Sequence, residues 1–197
     1  YSIVKGYYNN DSIPFKDVMI SGHGLDQKGH KFSKRLGNYK PAKDLVDSFG
    51  ADAIRYWATG ALLGQNLRFS DSEVNMGHKT AMKIYNVANM MEFYKINETT
   101  EIDYKTLEYS DVWILNNLNT LIESATDAFD SYSYAKARSL VDEFFWSKFA
   151  DLYLEFIKYR LNGENEVSKL AAQWTLRTVF LNVLKIYAPL LPFITEE

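Results

Sequence analysis

The chain has no cysteine, and only four prolines and three histidines among its 197 residues. Without cysteine there is no disulfide and no thiolate metal site, and His23, His30 and His78 are too scattered in sequence to suggest a ligand cluster, so no metal site is expected. No run of about 18 apolar residues occurs and nothing reads as a signal peptide. Those absences argue against a membrane-spanning or secreted protein and for a cytoplasmic one. The chain starts at Tyr1 without methionine and stops at TEE directly after an apolar segment, so we expect a piece of a longer polypeptide. The formal net charge of -3 disfavours bulk attraction to nucleic acid. Charge is unevenly placed, however. The first forty residues carry +4 and the remainder -7, so a polyanion would be met locally.

What is present starts with 47% hydrophobic content, enough for a sizeable core in one large domain or two small ones. The most distinctive stretch is GHKFSKRLGN, Gly29 to Asn38. Lys31, Lys34 and Arg35 are charged, Ser33 adds a hydroxyl, and Gly29 and Gly37 let the backbone bend on either side. Such a loop suits a polyphosphate better than a lone carboxylate. A solvated basic turn is the alternative on composition alone.

Along the chain, Tyr1 to Phe15 reads as loop, and Val18 to Ser21 as one buried strand turned by Gly22-His23-Gly24. His23 reads either as a turn histidine satisfied by backbone or as an active-site group. Helices are predicted over Ala42 to Phe49 and Ala51 to Leu63, a strand over Gln65 to Phe69, and a long helix from a Ser70/Glu73 capping box to about Tyr94. On that helix Lys79, Lys83, Asn86 and Met90 lie along one side, which suits either a phosphate backbone or plain solvent.

After a polar connection, Asn97 to Tyr109, the pattern is helical throughout. Val112, Leu115, Leu118, Ile122, Ala125 and Phe129 form one stripe. Val141, Phe144, Phe145, Phe149, Leu152, Tyr153 and Phe156 form a second, between about Tyr134 and Leu161. Leu170, Trp174, Leu181, Leu184 and Tyr187 form a third, between Val167 and Tyr187. The expected fold is therefore mainly α. A small αβ unit, residues 1–70, precedes an antiparallel helical bundle, residues 71–197.

These residues carry a resemblance. ISGHGLDQKGHKFSKRLGN followed by FGADAIRYW, Phe49 to Trp57, resembles the C-terminal half of a class I aminoacyl-tRNA synthetase. KFSKR matches the family's KMSKS signature at Lys31, Ser33 and Lys34 and departs from it at Phe32 and Arg35. Phe32 keeps an apolar anchor there. LRFSDSEVNMGHKTAMKIYNVANM, Leu67 to Met90, is most like the valyl branch, with isoleucyl and leucyl enzymes as neighbours.

The resemblance implies a stem-contact unit and an anticodon-binding bundle in a ligase that activates valine with ATP and Mg2+ and charges tRNA, as a monomer. It implies catalytic roles for Lys31, Ser33 and Lys34, with Lys34 on the ATP phosphates. It also makes Arg55, Arg68, Lys79, Lys83 and Asn86 candidates for tRNA contact. No HIGH-type tetrapeptide occurs, so this piece alone is expected to be inactive. A non-catalytic helical RNA-binding module and another adenylate-forming nucleotidyl transferase stand as alternatives.

Overall fold

A computed structural model describes residues 1–39, 41–96 and 102–197. Residues 97–101, the start of the expected polar connection, and Lys40 lie outside the described residues.

The first turn of the chain corrects the sequence reading. Ser2–Asn10 is a helix, α1. Its apolar residues Ile3, Val4, Tyr7 and Tyr8 recur at helical spacing, a signal the following Asn9-Asn10-Asp11 and Pro14 obscured. Asp11 ends it in the left-handed region at φ 48° and donates its N–H to the Tyr7 carbonyl. Val18 to Ser21 is not a strand either. Val18 and Ile20 are 62% and 71% exposed, so nothing among the described residues covers the run.

The two strands are minimal. β1, Gly24–Leu25, pairs in parallel with β2, Leu67–Arg68, with Gly24 opposite Leu67 and Leu25 opposite Arg68. The connection between them holds α2, Ala42–Phe49, and α3, Ala51–Ala58. α3 ends before the predicted Leu63, in a turn through Thr59 and Gly60. A small core lies between these elements, where Ala53, Phe69 and Val74 collect Phe32, Leu45, Phe49, Ile54 and Trp57.

α4, Asp71–Phe93, starts as the capping residues indicate, but only half of the box forms. The Ser70 side chain accepts the N–H of Glu73, while the Glu73 carboxylate turns to Arg138 at 3.1 Å. α5 spans Tyr109–Asp130, and one continuous long helix follows, made of α6 (Tyr134–Glu143), a π-wound stretch (Phe144–Tyr153) and α7 (Leu154–Leu161). α8 is Glu166–Tyr187 and α9 is Pro192–Glu196.

Hydrogen bonds fix the directions. Glu73, Thr80 and Tyr94 on α4 meet Arg138, Trp146 and Asn162 in the same order, so α4 and the long helix run together. Asp111 and Asn117 on α5 meet Arg160 and Lys148, so α5 opposes it. Ser168 meets Arg160 while Tyr187 meets Asp142, so α8 opposes it too. The bundle is antiparallel in chain order, as expected.

The predicted Val141, Phe144, Phe145, Phe149 and Tyr153 are buried, whereas on α5 and α8 the core is centred about one residue away from the predicted stripes and shares only Leu118, Ala125 and Tyr187 with them. On α5 the buried apolar positions are Ile114, Leu118, Leu121, Ala125 and Ala128, with Val112 exposed. On α8 they are Ala171, Ala172, Leu176, Val179, Phe180, Val183 and Tyr187. Small residues let the helices approach closely, and a reading weighted by side-chain size passes over them. In the π stretch Phe145, Phe149 and Tyr153 stack in series at 6.0 and 6.2 Å, with Phe180 of α8 against Phe149 at 6.2 Å. Each such buried ring contributes about 1.5–3 kcal/mol of apolar transfer free energy. Wider π winding turns Leu152 and Phe156, placed inside by a 3.6-residue period, partly outward.

Candidate nucleotide-binding loop and RNA-facing helix

The cationic loop leaves β1 and returns to α2. Phe32 donates its N–H to the Gly24 carbonyl at 3.2 Å and sets its ring edge-on to Phe69 at 6.5 Å. That contact puts the loop's apolar residue in the small core, as the resemblance implies, and leaves its neighbours outside. Lys31, Lys34 and Arg35 are exposed and Ser33 is half-buried. Gly29 and Gly37 bracket them at φ 88° and 66°, a backbone region costly for other residues.

Lys31 Nζ lies 3.4 Å from His23 Nε2. The His23 backbone is fixed on both sides, its N–H by Asn66 Oδ1 and its carbonyl by the N–H of Leu67. Both sequence readings of His23 thus have a counterpart: its backbone is satisfied in the turn, and its ring faces a loop lysine. Lys34 Nζ sits 5.6 Å above the Tyr39 ring, an exposed cation–π contact of about 0.5–1 kcal/mol that leaves the ammonium free to move.

Asp26 and Asn38, passed over in the sequence, hold the loop's base. Asp26 accepts the N–H groups of Lys28 and His30 at 2.9 and 2.8 Å, and Asn38 Nδ2 at 3.0 Å. The Asn38 hydrogen bond, followed by the His30 N–H, lowers the Asp26 carboxyl from its ordinary 3.8 to about 2. An Asp two residues after a turn glycine and an Asn after the second loop glycine were the available signals.

The motif on α3 binds the chain together. Asp52 accepts the N–H groups of Phe193 and Ile194 at the start of α9, at 3.3 and 2.8 Å. Arg55 donates to the carbonyls of Pro189 and Leu190 at 2.8 and 3.2 Å, and its Nη1 has no partner among the described residues. The Tyr56 hydroxyl donates to Asp142 at 2.7 Å, and Trp57 Nε1 to the Arg68 carbonyl at 3.0 Å. Tyr187 donates to the other Asp142 oxygen at 2.7 Å. Burial raises the Asp142 carboxyl, against the lowering effect of those two hydroxyls and of Arg138.

Of the remaining candidates, Arg68 is exposed beside the loop, its guanidinium against Gly29. Lys79 and Asn86 are exposed on α4, and Lys83 is half-buried with Nζ 5.9 Å above the Trp146 ring. The loop and the α4 row are separate places on the structure, tied together through α3. Among the described residues no group of three or more His, Asp or Glu could hold a metal ion, and no helix is long and apolar enough to cross a membrane.

Comparison with known proteins matches residues 1–70 to the family model of tRNA synthetases class I (I, L, M and V) and residues 111–197 to the anticodon-binding domain of tRNA ligase. The chain thus carries class I tRNA synthetase domains over residues 1–70 and 111–197. It is similar over its whole length to valine-tRNA ligases, at 38% identity for that of Ehrlichia ruminantium (strain Gardel) and 34% for that of Wolbachia pipientis wMel, covering 24% and 23% of those proteins. Thus the chain spans about a quarter of the length of the curated relatives it matches. Two solved structures share the fold. One is the LeuRS chain of the Agrobacterium radiobacter K84 LeuRS-tRNA-LeuAMS ternary complex, with TM-score 0.71 and 20% identity over 99% of this chain and 23% of that one. The other is Mycobacterium tuberculosis methionyl-tRNA synthetase in complex with methionyl-adenylate, with TM-score 0.70 and 18% identity over 89% of this chain and 36% of that one. The matched domains take in the cationic loop on one side and α5 to α9 on the other, with α4 between them.

Proposed function

We propose that this chain is the part of a cytoplasmic, monomeric valine-tRNA ligase that supplies the ATP-contacting loop and the tRNA-binding helices. Residues 1–70 end the catalytic core and contact the acceptor stem, and residues 71–197 face the anticodon arm. The observation that carries the reading is whole-chain similarity to valine-tRNA ligases together with an exposed Lys31 and Lys34 and a half-buried Ser33 on a glycine-bracketed loop. The isolated chain is inactive.

In the reaction, the valine carboxylate attacks the α-phosphate of ATP, the bond to the β-phosphate breaks, and pyrophosphate leaves with growing negative charge. Lys34, released from Tyr39, meets that charge, Lys31 assists, and Ser33 donates to a phosphate oxygen. Contacts that strengthen as the charge develops lower the barrier rather than only binding ATP. Closure of the loop on ATP brings the ammonium groups to the phosphates. The donors on this loop fit a polyphosphate, and Mg2+ entering with ATP in the parent enzyme would neutralise phosphate charge there. Arg68, Lys79, Lys83 and Asn86 face the tRNA, and Arg55 offers its remaining nitrogen.

Lys34→Ala in the full-length ligase tests this. Valine-dependent ATP–pyrophosphate exchange should slow by about 10²- to 10³-fold. An unchanged rate would remove the loop from the chemistry.

A further inference from the structure

We propose that Asn38, oriented by Asp26, is a positioning residue for adenylate formation, because its carboxamide clamps the outgoing limb of the cationic loop to the incoming one. The inference rests on the ATP-facing role given to the loop above.

Asn38 Nδ2 donates to Asp26 Oδ2 at 3.0 Å and to the Lys31 carbonyl at 3.1 Å, while Oδ1 accepts the Ser33 N–H at 2.9 Å. A carboxylate and a carbonyl only accept, and a backbone N–H only donates, so a single orientation of the amide satisfies all three partners. The partners flank Phe32, which is seated against Phe69. The clamp thereby holds the backbone of Lys31 and Ser33, and Lys34 follows directly.

Little else holds the outgoing limb. Its turn has two long backbone bonds, from Leu36 to Ser33 at 3.2 Å and from Gly37 to Lys34 at 3.3 Å. A Cβ added at Gly37 would meet no atom of the described residues within 4 Å, so that hinge is loosely packed. Asn38 is where the loop is tied down. A displacement of about 1 Å in a catalytic group can cost roughly 10²-fold in rate.

The test uses the full-length ligase with Asn38→Ala, Asn38→Asp, the pair Asp26→Asn/Asn38→Asp, and Lys34→Ala as control. It measures valine-dependent ATP–pyrophosphate exchange, transfer of valine from preformed adenylate, and the thermal midpoint. Asn38→Asp should lower kcat for exchange by about 10- to 100-fold, leaving KM for valine, transfer and the midpoint unchanged. It should be slower than Asn38→Ala, because it sets a carboxylate against Asp26. Adding Asp26→Asn restores a donor across that contact and should recover part of the rate. The clamp is overturned if Lys34→Ala is slow while Asn38→Asp is as fast as wild type or no slower than Asn38→Ala. If Lys34→Ala is itself fast, the loop's role falls and the clamp falls with it.

Discussion

Arg160 and Asp111 meet through two parallel hydrogen bonds of 2.8 Å each, with neither side chain reaching solvent. Tyr153 donates to the same carboxylate at 2.8 Å, and Arg160 Nε donates to Ser168 at 2.9 Å. The pair joins the start of α5 to the end of the long helix.

Because both charges are buried, losing one leaves the other poorly compensated; without Asp111, Arg160 keeps only the Glu108 carboxylate among the described residues, at 3.3 Å. Asp111→Leu should destabilise the bundle by roughly 3–5 kcal/mol. Replacing both, as Asp111→Leu with Arg160→Met, should cost less than either single change. Urea unfolding of the four proteins in a double-mutant cycle provides the measurement, and additive losses would show that the pair does not act as a unit.

Gly77 lies inside α4, where alanine ordinarily favours a helix by up to about 1 kcal/mol. Here an added Cβ would stand 2.7 Å from Tyr56 Cβ and 3.0 Å from the Ala53 Cα. Gly77→Ala should therefore destabilise by about 1–3 kcal/mol through overpacking between α3 and α4. A raised thermal midpoint would contradict that packing.

The RNA-facing assignment separates by salt dependence. Lys79→Glu with Lys83→Glu should weaken tRNA binding by the full-length ligase and flatten the dependence of log K on log salt by roughly 0.7–0.9 for each phosphate left without its lysine. Arg55→Ala should chiefly lower the thermal midpoint, since two of its nitrogens hold Pro189 and Leu190. An unchanged slope in the double variant would return Lys79 and Lys83 to ordinary surface.

Asp26 is more acidic in the folded loop than its ordinary value of 3.8, at about 2. A depressed carboxyl contributes stability that is complete above the ordinary value and is lost as pH falls through the folded one. The loop's base should thus hold at neutral pH and loosen between about 3.8 and about 2. Carboxyl-carbon NMR titration of Asp26 should give a midpoint near the lower figure, and Asn38→Ala should move it up towards the higher one.

Much of this was legible in the residues. Gly50 and Ser70 punctuate α2 and α4 where helix-stop and capping chemistry place them, whereas Gly64, the expected stop of the second helix, lies past its end at Ala58. The loop's exposed cations and its apolar anchor were readable from composition and likeness. Partners distant in sequence were not readable: Asp111 with Arg160, Tyr56 with Asp142, and Asp52 with the start of α9 depend on tertiary proximity. Nor could a fixed 3.6-residue period register the π-wound stretch, whose wider turn shifts the buried face within one continuous helix.

The four polar side chains on α3 have a practical meaning for anyone dissecting this molecule. Asp52, Arg55, Tyr56 and Trp57 each bond a different neighbour, and three of those neighbours lie beyond residue 70. Severing the polypeptide there would unseal a seam, amputating the loop's support and baring the face of α4 on which Tyr56 rests. Residues 1–70 and the helices that follow them are best handled as one inheritance.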